Sequence, residues 1–373
     1  MNASTEWTPE QLRSALDSGQ PVTVLDIRAA RDREWWIPGS VHADVFDALK
    51  AGDAAPLESA MRDLPKAAPV VAVCNAGQTS GLALPHLQRL GYSAFSLRDG
   101  MRGWSEAWNT AAVQLPPGSP QLLQVRRTGK GCLSYVVLSG PEALVVDPSV
   151  GAEVYVELAR AAGARVVAVA ETHVHADHVS RGGTLCSLTG ARLYLPPQQR
   201  VVTPFTPATD GMEIPFGAAR VRVLSTPGHT PESACYLLEG AAVFTGDTLF
   251  VQGVGRPDLK AEGREAEGRA RLLHDSLTRR IFPLDPRILV LPGHASEPLA
   301  FDGVPHAATL AEARASAGVD ALDEDRFVAH LLRHLPPTPP NHFEIIRINE
   351  GRVAAPADLR TLEAGANRCA IRG

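Results

Sequence analysis

The sequence predicts two domains: an α/β unit with a parallel sheet, then a larger unit of closely spaced strands. Three observations support this. The 373 residues exceed the roughly 250–300 that one hydrophobic core usually organises. Up to about residue 112, short strand-forming runs alternate with helix-like stretches. Beyond a proline-rich segment, the strand-like runs follow one another more closely.

The first unit opens with a helix signal. Thr8 can cap a helix, Pro9 suits its first turn, and Gly19 ends it. Three strand-forming runs follow, separated by helix-like stretches: 22–27, 70–74 and 94–97. This alternation is typical of a parallel sheet with flanking helices.

The best candidate for a domain boundary is the segment 114–120, which contains three prolines and no apolar period. We therefore expect four parts along the chain: a first domain over 5–112, a linker over 113–120, a second domain over 121–350 and a C-terminal tail over 351–373. Within the second domain, residues 305–335 have a mostly helical pattern.

Charge and composition favour small-molecule chemistry. The 36 basic and 41 acidic residues give a net charge of −5 without long runs of one sign, which argues against nucleic acid or an anionic membrane as partner. No stretch of about 18 apolar residues and no signal-like N-terminus is present, so we expect a cytoplasmic protein. The five cysteines are scattered and odd in number, which does not suggest a disulfide framework. Four are expected to be buried small hydrophobes, and Cys74 is the exception.

A metal site is the strongest functional signal. His173, His175, Asp177 and His178 lie within six residues, directly after the apolar run 166–170. Crowding three imidazoles and a carboxylate is costly unless a cation holds them. Further candidate ligands follow later apolar stretches in the same way: His229, Asp247 and His294. We therefore expect one site at the edges of the sheets.

This order of motifs resembles the metallo-β-lactamase superfamily over about residues 120–350. The resemblance implies an αββα sandwich for the second domain. Within the superfamily, the segment 253–259 (GVGRPDL) looks like the one that marks persulfide dioxygenases. That likeness implies one Fe(II) per chain on His173, His229 and Asp247, a two-histidine, one-carboxylate triad with open positions.

Four further residues would orient these ligands as a second shell: His175, Asp177, His178 and His294. A hydrolase would use the set differently. It would bind two zinc ions, one by His173, His175 and His229 and the other by the remaining histidines and Asp177, with Asp247 bridging. Arg256 is a candidate for organising the site or an anionic substrate, and a salt bridge to Asp258 is the alternative.

The second functional signal is the loop 74–80 (CNAGQTS), which follows a buried strand and precedes a helix. A thiolate there faces backbone N–H groups and the positive end of the helix dipole, so we expect a lowered pKa for Cys74. Three further segments accompany it: 25–28 (LDIR), 37–42 (IPGSVH) and 99–104 (DGMRGW). Together they resemble a rhodanese domain over about residues 5–112.

The rhodanese resemblance implies that Cys74 accepts a sulfane sulfur. The loop has no arginine or lysine, which departs from the common rhodanese pattern and puts thiosulfate binding in doubt. Trp35 and Trp36 stand where other residues are more usual, and we interpret them as packing residues.

The main hypothesis is a fusion enzyme: a sulfurtransferase domain joined to a dioxygenase that oxidises glutathione persulfide, or a similar small persulfide, to sulfite with molecular oxygen. One alternative is a thiolester hydrolase of the glyoxalase II type with two zinc ions and an attached rhodanese domain. Another is a sulfur-delivery module in which the metal is structural. The sequence is compatible with a homodimer.

Overall fold

Residues 5–104 form a five-stranded, all-parallel sheet with helices on both faces in the computed structural model, which describes residues 5–319 and 322–371. The strand order is Glu6–Trp7, Ala94–Leu97, Val70–Val73, Thr23–Asp26 and Val41–His42. The helices are Pro9–Asp17, Phe46–Lys50, Ala55–Met61, Gln78–Arg89 and Gly100–Trp104. This confirms the parallel α/β architecture expected for the first domain.

Local sequence signals explain the elements of this unit. The Thr8 side chain accepts a hydrogen bond from the backbone N–H of Gln11, and Gln11 bonds back to Thr8, so the first helix begins with a capping box. Apolar side chains at successive positions of each strand pack on opposite faces of the sheet. Leu25 and Ala72 pack on one face, and Val24 and Val71 pack on the other. The sheet is therefore buried on both sides.

The second unit is an αββα sandwich. Its seven-stranded sheet has the order Thr206–Pro207, Arg192–Leu195, Arg165–Ala170, Glu142–Val146, Cys132–Ser139, Gln121–Arg127 and Asn109–Val113. The six-stranded sheet has the order Glu213–Phe216, Ala219–Ser225, Ala234–Leu238, Ala242–Gly246, Leu289–Pro292 and Ala308–Thr309. The facing surfaces share one core that includes Tyr135, Val146 and Phe244.

Helices cover the outer faces of the two sheets. Those that the structure describes there are Ala152–Ala161, Gly182–Thr189, Arg264–Ser276 with a π-helical turn Leu277–Ile281, Leu310–Ser316 and Glu324–Arg333. Two further helices, His342–Asn349 and Arg360–Glu363, belong to a cluster that includes Val179 in the loop after the strand Arg165–Ala170. None of them combines the length and apolar character that crossing a membrane requires. Three short strands, Leu249–Phe250, Gly253–Gly255 and Ala370–Ile371, form a small sheet beside the sandwich.

The proline-rich segment lies inside the second unit. Asn109–Val113 pairs antiparallel with Gln121–Arg127, so residues 114–120 connect two strands of one sheet. This differs from the linker expected over 113–120, because the pairing starts at Asn109, before the prolines. The predicted tail also packs, since Ala370–Ile371 pairs with Gly253–Gly255.

Contacts between the two units are numerous and partly buried. Trp35 is buried, and its indole N–H donates to the carbonyl of Thr128 over 3.0 Å. On the surface, Arg368 forms two hydrogen bonds to the Glu34 carboxylate. Trp35 therefore packs as expected, and it packs against the other domain.

Candidate metal centre and cysteine loop

The candidate metal ligands meet because they follow the ends of neighbouring strands. The strand Ala242–Gly246 runs parallel to Leu289–Pro292, with Gly246 opposite Pro292. This register sets Asp247 beside His294, and Nδ1 of His294 lies 2.6 Å from Oδ1 of Asp247. A Cβ at Gly293 would lie 2.8 Å from the same oxygen, so the position needs glycine. Sheet geometry thus assembles residues that are far apart in sequence.

Three side chains form one set of potential ligands. Nε2 of His173 and Nε2 of His229 lie 3.9 and 3.5 Å from Oδ2 of Asp247, and the three residues are buried. Nε2 of His173 and Oδ2 of Asp247 have no hydrogen-bond partner among the described residues. Leaving buried polar atoms unpaired costs about 1–3 kcal/mol each. Their convergence therefore fits a cation between them.

The opposite edges of these ligands are held by hydrogen bonds. Nδ1 of His173 lies 2.9 Å from the Thr172 hydroxyl, which donates to Asp147. Nδ1 of His229 donates to the backbone carbonyl of Arg256 over 2.8 Å. Such contacts fix the imidazole orientation, and Nε2 then remains free for a metal.

The two ring nitrogens of His175 have different surroundings, and its Nδ1 is buried without a hydrogen-bond partner among the described residues. Its Nε2 lies 3.2 Å from Asp147 and 3.4 Å from Glu171, both buried carboxylates. Burial opposes its protonation, but these carboxylates raise the pKa of His175 well above its usual value. The carboxylates therefore hold the Nε2 edge of His175, and its Nδ1 remains available to a metal.

A second buried cluster lies next to the triad and contains Asp177, His178, His294 and Cys132. The sequence indicated the first three as candidate ligands, whereas Cys132 was expected to be a buried small hydrophobe. Cys132 begins a strand far upstream, and its backbone forms a β-bridge with His294. Only the pairing of strands brings this thiol to the site, so no local pattern signals it.

Charge coupling links the two clusters. Burial would raise the pKa of Asp247, but the neighbouring His294 imidazolium holds that pKa well below its usual value. Burial opposes protonation of His294, and the carboxylates of Asp177 and Asp247 nevertheless raise its pKa well above the ordinary one. His294 thus lies between two carboxylates, each stabilised in its charged form.

Arg256 is buried and fully occupied by protein contacts. Its guanidinium forms two 2.7 Å hydrogen bonds to Asp258 and donates to the carbonyls of Pro337 and Arg368. These contacts correspond to the salt bridge with Asp258 that the sequence offered as the alternative to a substrate contact. Its link to the site is its own carbonyl, which accepts the hydrogen bond from His229.

The C-terminal segment also contacts the site, although its sequence carries no clear signal. Asn367 donates a 3.0 Å hydrogen bond to Oδ2 of Asp177, and Cys369 lies against Asp247 and His294. Glu363 is completely buried and pairs with Arg127 at 2.7 Å and Arg181 at 3.1 Å. This segment forms one wall of the second cluster.

A cavity of about 790 Å³ borders His173 and His175. Its walls are mostly small and apolar side chains such as Val179, Leu193 and Leu195. A pocket of this size can admit a small-molecule substrate.

The cysteine loop occupies the carboxyl end of the central strand Val70–Val73, before the helix Gln78–Arg89. Cys74 is buried, and its sulfur lies 3.4 Å from the Ser80 hydroxyl. Gly77 adopts φ +82°, and a Cβ there would meet the Asp99 backbone at 2.9 Å. The backbone N–H of Met101 donates to the Cys74 carbonyl, so the segment 99–104 braces the loop.

A smaller cavity of about 290 Å³ lies beside this loop, lined by Asn75 and Arg102 and, from the second unit, Gly129 and residues 364–366. Arg102 therefore provides a cation that the loop itself lacks. Both units contribute to the surroundings of the cysteine loop.

Comparison with known proteins agrees with both units. Residues 8–107 match the rhodanese-like domain, and residues 127–294 match the metallo-beta-lactamase superfamily. Fold and site thus define a metallo-β-lactamase-fold domain behind a rhodanese-like domain.

Individual relatives show to which family within the superfamily the chain belongs. Persulfide dioxygenase ETHE1 of Bos taurus is 32% identical over 205 residues, which cover 52% of this chain and 76% of that protein. A crystal structure of ETHE1 from Myxococcus xanthus superposes with a TM-score of 0.53 at 27% identity, covering 62% of this chain and 98% of that one. The chain belongs to the ETHE1 persulfide dioxygenase family.

Hydrolases of the same superfamily are also similar. Hydroxyacylglutathione hydrolase of Anaeromyxobacter dehalogenans is 34% identical over 202 residues, covering 51% of this chain and 75% of that protein. Overall identity therefore does not separate the two chemistries, and the arrangement of the ligands becomes the more informative feature.

Proposed function

We propose that the second domain oxidises a low-molecular-weight persulfide with molecular oxygen, using one Fe(II) held by His173, His229 and Asp247. The observation that carries this proposal is the convergence of these three buried residues, whose ligand atoms lie within 4.8 Å of one another. Two histidines and one carboxylate leave coordination positions open, as in non-haem Fe(II) oxygenases.

The substrate we propose is glutathione persulfide or a similar small persulfide. With oxygen and one water, RSSH yields the thiol RSH, sulfite and two protons, so the terminal sulfur is oxidised and oxygen is reduced. When bound, Fe(II) would supply the oxygen chemistry that side chains lack. The protein residues bind and orient: the Thr172 hydroxyl and the Arg256 carbonyl fix the imidazoles, and His294 fixes Asp247.

We propose further that Cys74 exchanges sulfane sulfur with small thiols. Its thiolate would attack the donor's sulfane sulfur, form a Cys74 persulfide and release the donor as its anion. The loop leads into a twelve-residue helix, whose N-terminal end is suited to binding an anionic persulfide. Both domains would then act on sulfane sulfur, the first by transferring it and the second by oxidising it. The five free cysteines suit a reducing compartment such as the cytoplasm.

The test is oxygen uptake by the full chain purified anaerobically and loaded with Fe(II). Glutathione persulfide should cause oxygen consumption and release sulfite in equal amounts. Absence of oxygen uptake by iron-loaded protein would overturn the proposal.

A second candidate is a two-zinc thiolester hydrolase. The Asp177, His178 and His294 cluster beside the triad favours it, as does the similarity to hydroxyacylglutathione hydrolase. This candidate requires about two zinc ions and no iron per chain, and cleavage of S-lactoylglutathione. Elemental analysis together with that assay separates the two candidates.

A further inference from the structure

Lys130 is a lysine in a hairpin turn that is buried instead of exposed. It lies between the strands Gln121–Arg127 and Cys132–Ser139 and is only 4% exposed. The first domain covers one side of the turn, where the backbone N–H of Gly129 donates to the carbonyl of Ala107 over 3.0 Å. Lysine side chains normally carry their ammonium group into water. The burial of this one therefore points to a specific role.

The Lys130 ammonium group makes one hydrogen bond to the protein. Its Nζ donates to the carbonyl of Gly365 over 3.3 Å, and no carboxylate of the described residues lies within ion-pair distance of it. An ammonium group has three N–H donors, so two have no acceptor within residues 5–319 and 322–371. A buried charge without a countercharge is unfavourable. The position therefore suits a bound anion.

A cavity of about 40 Å³ is lined by Lys130, by Asp177 of the second cluster and by the segment 364–366. One water molecule needs about 10–15 Å³ of such space. The cavity therefore has room for a few waters or one small oxyanion, and it is too small for a whole tripeptide persulfide. The segment 364–366 also lines the cavity beside the cysteine loop, so Lys130 lies where the two domains meet.

The other charged groups around this small cavity already have partners. The Arg368 guanidinium forms an ion pair with Glu34 at 2.6 Å. The Asp177 carboxylate accepts a 3.0 Å hydrogen bond from Asn367. Lys130 is thus the charged residue on the cavity wall whose charge has no counterpart among the described residues.

We propose that Lys130 binds a small oxyanion beside the metal centre. Two anions of the proposed oxidation share this chemistry: a carboxylate of the persulfide substrate and the sulfite product. In the first case Lys130 determines substrate specificity, and in the second it holds the product before release. The choice between these two sources rests on the proposed oxidation, whereas the anion site itself does not.

The anion site is tested by thermal unfolding of the full chain in sodium sulfite, sodium acetate and sodium chloride at equal ionic strength. A ligand that binds only the folded state raises Tm by mass action. We expect sulfite or acetate to raise Tm of the wild type by about 3 °C at a hundred times its Kd, relative to chloride. Lys130→Met keeps an unbranched apolar side chain and should lose this rise. Lys66→Met, which removes an exposed lysine, should respond like the wild type.

Steady-state kinetics of the iron-loaded chain separates the two sources of the anion. If Lys130 binds a substrate carboxylate, Lys130→Met should raise KM for glutathione persulfide about tenfold with little change in kcat. KM for the persulfide of 2-mercaptoethanol, which has no carboxylate, should then stay unchanged. If Lys130 binds sulfite, both KM values should stay unchanged, and the inhibition constant of sulfite should rise about tenfold. Lys130→Arg keeps the charge and should lie closer to the wild type in either case.

Equal rises of Tm in the wild type and Lys130→Met would overturn the proposal, as would no rise beyond that in chloride. A loss of kcat in Lys130→Met with all KM values and the sulfite inhibition constant unchanged would also overturn it, because a structural role predicts that result. If Lys130→Met fails to fold, the wild type and Lys130→Arg decide, and no rise of Tm in sulfite or acetate contradicts the proposal. Absence of oxygen uptake contradicts the proposed oxidation alone, since the Tm measurements test the anion site separately.

Discussion

The two candidate sites of this molecule are built in opposite ways. The cysteine loop is one contiguous segment, in which the Ser80 hydroxyl lies 3.4 Å from the Cys74 sulfur. The same hydroxyl lies 2.7 Å from the Ser96 hydroxyl of a neighbouring strand. The metal centre collects ligands from distant strands and leaves some of their buried atoms without protein partners.

This difference separates a site that is complete within the protein from one that requires an ion. Unpaired buried nitrogens and oxygens destabilise a fold unless something binds them. The cysteine loop therefore needs no bound ion for its proposed chemistry, whereas the metal centre depends on its occupant for chemistry and for local stability.

The largest expected effect is that of Cys74→Ser on sulfur transfer. A serine hydroxyl cannot form the persulfide, so transfer from a sulfane donor to a small thiol should fall to the uncatalysed background. Oxygen uptake with preformed glutathione persulfide should be unchanged. Cys186→Ser, a half-buried control, should retain transfer. Transfer that persists in Cys74→Ser would remove Cys74 from the proposed chemistry.

Asp247→Ala should affect the metal centre and not the cysteine loop. It removes the only carboxylate of the triad, so oxygen uptake should fall by more than the roughly 10–100-fold typical of losing a supporting hydrogen bond. Sulfur transfer through Cys74 should continue. Oxygen uptake near the wild-type rate in this variant would mean that the oxygen chemistry occurs elsewhere.

Glu363→Gln tests the buried wall beside the metal centre. It removes the carboxylate that Arg127 and Arg181 share, although Arg127 keeps its pair with Glu106, and breaking a buried pair costs about 3–5 kcal/mol. Urea unfolding should show that loss. The matched control Glu157→Gln alters an exposed pair with Arg160 and should cost less than about 1 kcal/mol. Equal losses in the two variants would contradict the buried role.

The Glu363 carboxylate should also make the free energy of unfolding depend on pH. Burial opposes ionisation, yet Arg127 and Arg181 lower the pKa of Glu363 from 4.5 to about 2. Between these values the unfolded chain binds the proton and the folded chain does not. The stabilisation, on the order of 3 kcal/mol, is present above about pH 4.5 and is lost as the pH falls toward 2. Glu363→Gln should flatten this part of the stability curve, and an unchanged acid slope would contradict the assignment.

The smallest expected effect is that of Arg256→Lys. A lysine cannot reproduce the two hydrogen bonds to Asp258, so the carbonyl that orients His229 should shift. Because the guanidinium is buried in protein contacts, kcat for persulfide oxidation should fall about tenfold with little change in KM. A large rise in KM instead would indicate contact with an anionic substrate.

The fold followed from the sequence where local signals were strong. The Thr8 cap, the run 70–74 and the apolar stretches before His173 and Asp247 predicted elements that the structure confirms. The segment 109–120 was harder, because a short edge strand before several prolines has the composition of a linker. Only its pairing with Gln121–Arg127 shows that it belongs to the second sheet.

The site was predictable in its histidines and carboxylates and not in its thiols. His173, His229 and Asp247 follow apolar strands, so their convergence could be expected from the sequence. Cys132 and Asn367 reach the site through pairing and packing over long separations, with Asn367 190 positions from Asp177. The direction of His175 was also beyond sequence reasoning, because it depends on where Asp147 and Glu171 are placed.

The most direct test of the central claim is the iron content of freshly isolated wild-type protein and of His229→Ala, each measured per folded chain. We expect about one iron per wild-type chain and almost none in the variant, since His229 is one of three ligands. Wild-type protein without iron, or a variant that keeps its iron, would contradict the account.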